Sequence, residues 1–283
     1  MTSCFDLHLH TSFSDGTDTP ETLLKILRAA GISTFAVCDH DTADGCREIC
    51  KNIPADMRFI NGIEFSCKTE FKRCHILGLG IDIDNPEIIE AVEEGKKLRA
   101  VKLESRLNHL KATHGIIFTD DEIEELNKLS SVGKPHLAQL IVKHGLAKTI
   151  DEAIKSFLTF RGNNDRLNSK FAIDAIKTSG GIPVWAHPLG GEGERRLSSD
   201  EFEKQLELLI NDGINGLECY YSRYNSEEIK YLVSKAKVHK LLISGGSDYH
   251  GTNKTICPGE LNTDDVLVTN NDLTILNEIN YSE

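Results

Sequence analysis

The sequence predicts an α/β fold, arranged as a barrel of strands and helices with a helical insertion near its middle. Short apolar runs alternate with amphipathic helical segments in the first and last thirds of the chain, a pattern typical of repeated strand–helix units. The middle, from about residue 86 to residue 160, contains one charged helical segment after another and no clear strand. Histidines and acidic residues follow the apolar runs, as they do where strands end at the mouth of a barrel.

Four strands and one clear helix are expected in the first third of the chain. Thr19 is the expected N-cap of the helix, Pro20 occupies its first position, and Gly31 ends its apolar face. The alternation of strand and helix favours parallel pairing of the strands. The strands are expected at residues 4–10, 34–38, 58–63 and 75–79.

The last third of the chain resumes the alternation after the helical middle. Its helices are expected at residues 170–179, 199–212 and 225–239, and its strands at residues 182–186, 216–220 and 241–244. We therefore expect one barrel formed by residues 1–94 and 166–283. Residues 95–165 would form the helical insertion and cap the substrate site.

Composition narrows the classes of function. A net charge of −12 over 283 residues argues against non-specific binding to nucleic acid or acidic membranes. A phosphorylated substrate is still compatible, because bound metal ions would invert the local potential.

No apolar run approaches a membrane span, and the N-terminus enters the first polar cluster with no room for a signal peptide. The eight cysteines are scattered and lack zinc-site spacing, which favours a reduced, cytoplasmic protein. No protein partner is indicated.

Clusters of histidines and acidic residues predict a metal site. His8 and His10 are two residues apart, so a strand would direct both side chains to the same face. A single pair of this kind is often no more than two strand-surface histidines, but here several strand ends carry such residues. The candidates are His8, His10, Asp15, Asp39, His40, Asp41, Glu64, His75, His187, Asp248 and His250.

The mixture of imidazole and carboxylate groups indicates the kind of metal. Such ligands suit Zn, Mn or Fe better than an all-oxygen Mg or Ca site. They are too many for one tetrahedral ion, so two or three divalent ions with at least one bridging carboxylate are expected. Two ions about 3.5–4 Å apart can hold a phosphoryl group and bring the pKa of a bridging water to about 7. A hydroxide would then be the nucleophile, and no serine or cysteine is required.

The clusters resemble the motifs of a known family over most of the chain. This family is the PHP (polymerase and histidinol phosphatase) domain family of metal-dependent phosphoesterases. The resemblance implies a distorted seven-stranded (β/α) barrel with a trinuclear metal site. The matching motifs are His8-Leu9-His10, Ser14-Asp15-Gly16, Val37–Thr42, Gly62-Ile63-Glu64, His75–Gly78, Ala186-His187-Pro188 and Gly246–His250.

The same resemblance implies roles for the ligands. The first ion would be bound by His8, His10, Glu64 and Asp248, the second by Glu64, His75 and His187, and the third by Asp15, His40 and His250. Asp15, His40, His187 and His250 would also be the catalytic residues, with His187 or His250 passing a proton to the leaving group. Asp39 would orient a ligating histidine.

The insertion points to a subgroup. Lys134-Pro135-His136 resembles the Arg-Pro-His segment of bacterial PHP phosphatases that act on 3′,5′-nucleoside bisphosphates, whose relatives trim RNA from its 5′ end. Lysine in place of arginine binds phosphate as a point charge instead of through a bidentate fork. Residues 161–165 lack the aromatic and proline residues usual in that subgroup. The expected substrate contacts are Lys134, His136, Arg195, Tyr221 and Arg223.

The expected function is therefore hydrolysis of a phosphomonoester by a metal-dependent phosphoesterase. The substrate would be a nucleotide resembling a 3′,5′-nucleoside bisphosphate, attacked by a metal-bridging hydroxide. One alternative is a 5′-3′ exoribonuclease acting on short RNA, and another is a small-metabolite phosphatase such as histidinol phosphatase. A non-catalytic PHP module is the alternative from another class, although the complete ligand set and the early end of the chain argue against it. An amidohydrolase with a carboxylated lysine is disfavoured, because no lysine is placed for that role.

Overall fold

Seven strands form a nearly closed barrel in a computed structural model that describes residues 4–160, 166–191 and 195–279. Among the described residues, the seven barrel strands and one further short strand, β5, are β1 (Phe5–Leu9), β2 (Thr34–Val37), β3 (Arg58–Lys68), β4 (Arg73–Leu79), β5 (Leu167–Asn168), β6 (Ile182–Trp185), β7 (Gly216–Tyr221) and β8 (Leu242–Gly246). The barrel order is β1-β2-β3-β4-β6-β7-β8, and the short β5 pairs with the end of β3. This confirms the predicted α/β class.

Helices cover the barrel and build the insertion. Those packed on the barrel are α1 (Pro20–Ala29), α2 (Asp44–Cys50), α7 (Ser169–Thr178), α8 (Ser199–Asp212) and α9 (Ser226–His239). The insertion contains α4 (Asp120–Asn127), α5 (Lys134–Lys143) and α6 (Ile150–Phe157), and α3 (Pro86–His114) leads into it. α1 begins and ends where its sequence predicted. Thr19 caps its first turn by accepting a hydrogen bond from the Thr22 amide, and Gly31 follows with a φ of 78°. The short α2 and β5 were not predicted.

The prediction of parallel pairing is wrong for β4. The pairs β1–β2, β2–β3, β6–β7 and β7–β8 are parallel, but β4 is antiparallel to both β3 and β6. Only four residues separate β3 from β4, and a connection that short permits a hairpin but no crossover. The Thr69 hydroxyl closes this turn by accepting hydrogen bonds from the amides of Phe71 and Lys72. As a result, the start of β4 lies at the barrel end where the parallel strands finish.

The barrel closes where β8 meets β1. The His10 amide donates to the Tyr249 carbonyl, and the Asp248 amide donates to the His8 carbonyl. The donor–acceptor distance is 2.9 Å in both hydrogen bonds. Gly246 is required for this approach, because a Cβ atom there would lie only 2.2 Å from the His8 Cβ. Closure therefore places the residues that follow β1 and β8 side by side.

Two apolar cores are present. The barrel core includes Ile88 and Ala91 from the first half of α3, whereas Leu103 and Leu110 from its second half belong to the core of the insertion. The change of core therefore falls within one continuous helix, and the division of the chain at residues 94/95 and 165/166 stays a prediction. In the described parts of the chain, no helix has both the length and the apolar character needed to cross a membrane. All eight cysteines are free thiols.

A buried ion pair fastens the insertion to the barrel. The Nε of Arg99, on α3, lies 2.5 Å from Oδ2 of Asp41, which follows β2. Asp41 also accepts a hydrogen bond from the Ser66 amide, and Arg99 donates to the Ser66 hydroxyl and to the Val132 carbonyl. Burial alone would raise the pKa of Asp41, but the Arg99 guanidinium, His40 and the hydrogen bonds from Ser66 and Arg99 together lower it. Each partner is about nine-tenths or more buried, so loss of one would strand the charge of the other.

We expect the substitution Arg99→Met to lower the free energy of unfolding by about 3 kcal/mol, because Asp41 would remain buried without its counter-charge. Chemical denaturation followed by the fluorescence of Trp185, the single tryptophan, measures this change. The matched control is Lys97→Met, which removes an exposed charge from the same helix and should cost under about 0.5 kcal/mol. Equal stability of the two variants would contradict the role of the ion pair.

Candidate metal centre

The residues predicted as metal ligands meet at one end of the barrel. They come from β1 and the loop after it, from the end of β2, from within β3, from near the start of β4, and from the segments after β6 and β8. The β3–β4 hairpin explains why His75, early in an antiparallel strand, reaches the same end as the others. The residues brought together are His8, His10, Asp15, His40, Glu64, His75, His187, Asp248 and His250.

Glu64 lies at the middle of the cluster and is 1% exposed. Its Oε2 is 3.3 Å from Nε2 of His8, 3.1 Å from Nε2 of His10 and 3.1 Å from Nδ1 of His40. The backbone of Glu64 is fixed by the end of β2, since its amide donates to the Asp39 carbonyl and its carbonyl accepts from the Asp41 amide. One carboxylate oxygen thus faces three imidazoles from two neighbouring strand ends.

The other oxygen of Glu64 faces a second group. Its Oε1 is 2.9 Å from Nδ1 of His75 and 3.2 Å from Nε2 of His187. These two imidazole nitrogens are themselves 3.2 Å apart. With one oxygen directed to each side, Glu64 has the arrangement that a bridging carboxylate needs.

Asp248 and Asp15 complete the cluster. Oδ1 of Asp248 is 3.6 Å from Nε2 of His8, 3.3 Å from Nε2 of His10 and 3.4 Å from Nδ1 of His250. Oδ1 of Asp15 is 3.2 Å from Nε2 of His250. Three overlapping groups result, each with its ligand atoms within 4.8 Å of one another: His8, His10, Glu64 and Asp248; His10, Asp15, His40 and His250; and His40, Glu64 and His75.

The side chains present fit divalent cations. Within the described residues, five buried atoms of this cluster have no hydrogen-bond partner: Nε2 of His8, Nε2 of His10, Oδ1 of Asp15, Nδ1 of His40 and Oε2 of Glu64. Each unsatisfied buried polar atom costs about 1–3 kcal/mol, so the chain folds this way at a cost that bound cations would offset. Nitrogen donors mixed with carboxylate oxygens are the ligands of Zn, Mn and Fe.

The electrostatics of the cluster point to the same conclusion. Burial alone would raise the pKa of Glu64, but the imidazoles of His40 and His75 outweigh it and hold this pKa well below its ordinary value. Burial alone would lower the pKa of His10, but Asp248 and Glu64 raise it to about 9. The carboxylates around His10 therefore favour a positive charge at this point, which a bound cation would supply.

Glu218, on β7, orients two of the histidines. It is completely buried, its Oε1 is 2.9 Å from Nδ1 of His8, and its Oε2 accepts a hydrogen bond of 2.6 Å from the His187 amide. With Nδ1 occupied, Nε2 of His8 faces Glu64 and Asp248, as in carboxylate–histidine–metal arrangements. The only signal in the sequence was the position of Glu218 near the end of a predicted strand.

Asp39 supports the ligands through the loop that follows β1. Its carboxylate accepts hydrogen bonds from the Thr11 amide and hydroxyl and from the Ser14 hydroxyl. It therefore fastens the loop that carries Asp15. The Ser14 hydroxyl in turn lies 3.3 Å from Nδ1 of His10, so Asp39 orients this imidazole through Ser14. Burial raises the pKa of Asp39 against the lowering effect of His10 and these hydrogen bonds.

Asp248 is held in a strained backbone conformation. Its φ is 60°, and His187 has a φ of 30°, values that residues other than glycine rarely adopt. Nζ of Lys254 and the Tyr221 hydroxyl both contact Oδ2 of Asp248, at 2.5 and 3.0 Å. A strained backbone of this kind is kept only where the surrounding contacts hold it in place, and such residues are typical of functional sites. Lys254 was missed, because nothing in the sequence indicated that its loop folds back on Asp248.

The predicted substrate contacts fall in different places. Lys134 and His136 begin α5 at the edge of the centre, where a Cβ atom on Gly133 would lie 3.1 Å from Oδ2 of Asp15. Nδ1 of His136 accepts a hydrogen bond from the Gly133 amide, and burial lowers the pKa of His136. The start of α5 therefore borders the ligand group that contains Asp15.

The other three predicted contacts lie around His187. Tyr221 is fully buried, with its hydroxyl on Asp248 and its ring packed on Tyr224, so no face is open for stacking on a base. Arg195 is exposed and paired with Glu201 at 2.7 Å. Arg223 is half-buried, and its carbonyl accepts a hydrogen bond from Arg196. The structure thus places Tyr221 behind the ligand Asp248 and away from the open surface, in contrast to its prediction as a substrate contact.

Known proteins with similar sequence and structure agree with this geometry. Residues 6–165 match the PHP domain family. The chain is 29% identical to the 5′-3′ exoribonuclease Rnm of Escherichia coli K12, over 87% of this chain and 85% of that protein. It is 28% identical to the 3′,5′-nucleoside bisphosphate phosphatase of Chromobacterium violaceum, over 90% and 88%. A solved structure from Bifidobacterium adolescentis, described as a metal-dependent phosphoesterase, is 29% identical, with a TM-score of 0.79 over 93% of each chain.

We expect His40→Ala to lower the affinity for Mn or Zn by more than about 100-fold, because an inner ligand contributes more than the outer-shell partners whose loss costs 10–100-fold. Titration calorimetry and elemental analysis of the loaded protein measure this. His144→Ala is the matched control, since His144 lies in the insertion and pairs with Glu122. Unchanged metal content in His40→Ala would argue against the site.

Glu218→Gln should weaken metal binding by roughly 10–100-fold while leaving the fold intact. The His187 amide and His8 Nδ1 both donate to this carboxylate, whereas an amide side chain offers a single acceptor oxygen. Glu207→Gln, an exposed position on α8, makes the same change of charge and should bind metal as the unaltered protein does. Identical affinities of the two variants would show that Glu218 does not orient the ligands.

Proposed function

Since this chain belongs to the PHP domain family of metal-dependent phosphoesterases, we propose that it hydrolyses a phosphomonoester of a nucleotide at the centre around Glu64. The observation that carries the proposal is the set of three overlapping ligand groups. Each of Glu64, His10 and His40 belongs to two of the three groups. Hydrolysis of phosphoester bonds is the activity common to the family and the named relatives. The nucleotide substrate is our inference from the subgroup.

We propose that two or three ions of Mn, Zn or Fe occupy the centre, bound by the nine side chains named above. When bound, such ions supply an activated water and stabilise negative charge on the phosphoryl oxygens. The contribution of the chain is to hold the ligands in place before the substrate arrives. Glu218 fixes His8, Asp39 fixes the loop of Asp15, and Lys254 with Tyr221 fixes Asp248.

The role of His250 is narrower than the sequence suggested. Its Nδ1 lies 2.8 Å from the Asp248 carbonyl and its Nε2 lies 3.2 Å from Asp15. Nδ1 is therefore occupied by the carbonyl, and Nε2 faces the ligand cluster, where binding to an ion would prevent it from passing a proton to a leaving group. We assign His250, and with it His40 and Asp15, to holding the ions.

We propose that the insertion caps the substrate site. The Arg99–Asp41 pair fixes α3 against the end of β2, one residue from His40, and the start of α5 lies against Asp15. Lys134 and His136 therefore lie next to the ligand group that contains Asp15, where the positive charge of Lys134 would attract a substrate phosphate.

Two observations bear on the choice between a nucleotide and RNA. The relatives include both a nucleoside bisphosphate phosphatase and an exoribonuclease. The net charge of −12 opposes a long polyanion outside the metal centre, which favours the smaller substrate. The exoribonuclease remains the second candidate.

The test is a measurement of phosphate and nucleotide release in buffer containing Mn, over nucleoside monophosphates, nucleoside bisphosphates, histidinol phosphate and short 5′-phosphorylated RNAs. We expect release of inorganic phosphate from a nucleoside bisphosphate, with turnover lowered at least about 1,000-fold in Asp248→Ala through the loss of charge stabilisation. Asp56→Ala, an exposed position near the end of α1, is the control. Release of mononucleotides from RNA alone would favour the exoribonuclease, and activity of Asp248→Ala equal to the control would reject the site.

A further inference from the structure

Two loops at the barrel mouth are joined to each other by hydrogen bonds. The first loop follows β1 and carries Asp15, and the second loop follows β8 and carries His250. Among the described residues, Asp15 and His250 belong to one ligand group only, which they form together with His10 and His40. The contacts between the two loops therefore bear most directly on this group.

Thr17, in the first loop, contacts the second loop through both its side chain and its backbone. Its hydroxyl oxygen accepts a hydrogen bond of 2.9 Å from the Thr252 amide, and its own amide donates to the His250 carbonyl at 3.2 Å. Gly251 permits this approach, because a Cβ atom on it would lie only 2.0 Å from Oγ1 of Thr17. Thr17 thus holds the backbone on both sides of Gly251, directly after the ligand His250.

Asn253, in the second loop, holds the first loop in return. Its Nδ2 donates a hydrogen bond of 2.8 Å to the backbone carbonyl of Asp15. The Tyr249 hydroxyl adds another link, since it donates to Oδ2 of Asp18 at 2.7 Å. We call the hydrogen bonds made by Thr17, Asn253 and Tyr249 the inter-loop network. Each of them joins the loop of one ligand to the loop of the other.

The two aspartate ligands are supported in different ways. The carboxylate of Asp248 is held directly by Nζ of Lys254 and by the Tyr221 hydroxyl. Asp15 is positioned through its loop, because Asp39 fixes the start of that loop and the inter-loop network fixes its end. Changes in the network should therefore displace Asp15 while the support of the Asp248 carboxylate stays in place.

We propose that Thr17 and Asn253 are positioning residues that set the cation affinity of the ligand group that contains Asp15. This inference rests on the proposed function, whose ions would occupy the three ligand groups, and adds that their affinities are controlled separately. Residues that orient a metal ligand without touching the ion commonly change metal affinity by about 10–100-fold. The group that contains Asp248 should keep its affinity, because its supporting contacts lie outside the inter-loop network.

Titration of the metal-free protein with Mn tests this proposal, with free Mn measured by electron paramagnetic resonance. Thr17→Val removes the hydroxyl acceptor at nearly constant volume, and Asn253→Ala removes the donor to the Asp15 carbonyl. We expect each variant to weaken one Mn site by at least about tenfold, with the affinity of the remaining Mn sites within about twofold of the unaltered protein. Weakening of every Mn site, or of none, would overturn the proposal.

Three further variants separate positioning from general loss of structure. Thr17→Ser keeps the hydroxyl and should bind Mn as the unaltered protein does, so an affinity as low as that of Thr17→Val would contradict the role of this hydroxyl. Asn127→Ala, at an exposed position at the end of α4, is the matched control for Asn253→Ala. Tyr221→Phe removes a hydrogen bond to Asp248 and should weaken another Mn site. Combined with Thr17→Val it should therefore weaken two sites, and a single weakened site would refute separate control.

Failure of the proposed function would appear in a different measurement, because the Mn titration contains no substrate. If the loaded protein hydrolyses no phosphoester, the function is wrong, yet selective weakening of one Mn site in Thr17→Val would still support the positioning role. If the protein hydrolyses a nucleoside bisphosphate but all Mn sites of Thr17→Val and Asn253→Ala match the unaltered protein, the function stands and the positioning role is wrong.

Discussion

The requirement to neutralise Glu64 governs the rest of this structure. This carboxylate is almost wholly buried among five imidazoles, and its Oε2 has no hydrogen-bond partner among the described residues. Divalent cations would accept lone pairs from the imidazoles and from the carboxylate together. The surrounding residues are arranged for that purpose: Glu218 turns His8, Asp39 holds the loop of Asp15, and Lys254 holds Asp248. Preorganisation is thus distributed over strands that are distant in sequence.

Barrel closure and the β3–β4 hairpin bring these parts together. Without the close approach of Gly246 to His8, the segment after β8 would not reach the segment after β1. Without the tight turn at residues 69–72, His75 would lie at the other end of the barrel, since a strand parallel to β3 would begin there. The antiparallel strand is therefore the feature that lets a mostly parallel barrel collect an extra ligand at its mouth.

The sequence predicted those parts that depend on local periodicity. His8 and His10 were expected on one face because strand side chains alternate, and both do face Glu64. The direction of β4 was mispredicted because an apolar run does not show which way its strand runs in the sheet. Only the lengths of the connections before and after the strand indicate its direction. The pairing of β5 with β3 joins residues about a hundred positions apart, so nothing local could show that Arg166 would reach the Cys74 carbonyl on β4. Tyr221 was predicted as a substrate contact, because the sequence does not show that its ring is buried against Tyr224 and His187.

The continuity of α3 has a consequence for how this chain could diversify. The helix passes from one apolar core to the other without a break, and changes at well-separated positions add almost independently. Substitutions in the core of the insertion, around Leu103 and Leu110, should therefore change the stability of the insertion with little effect on the packing of the barrel core. The helix is anchored at Asp41, so the packing at its far end can change while the ligands at the barrel mouth keep their positions.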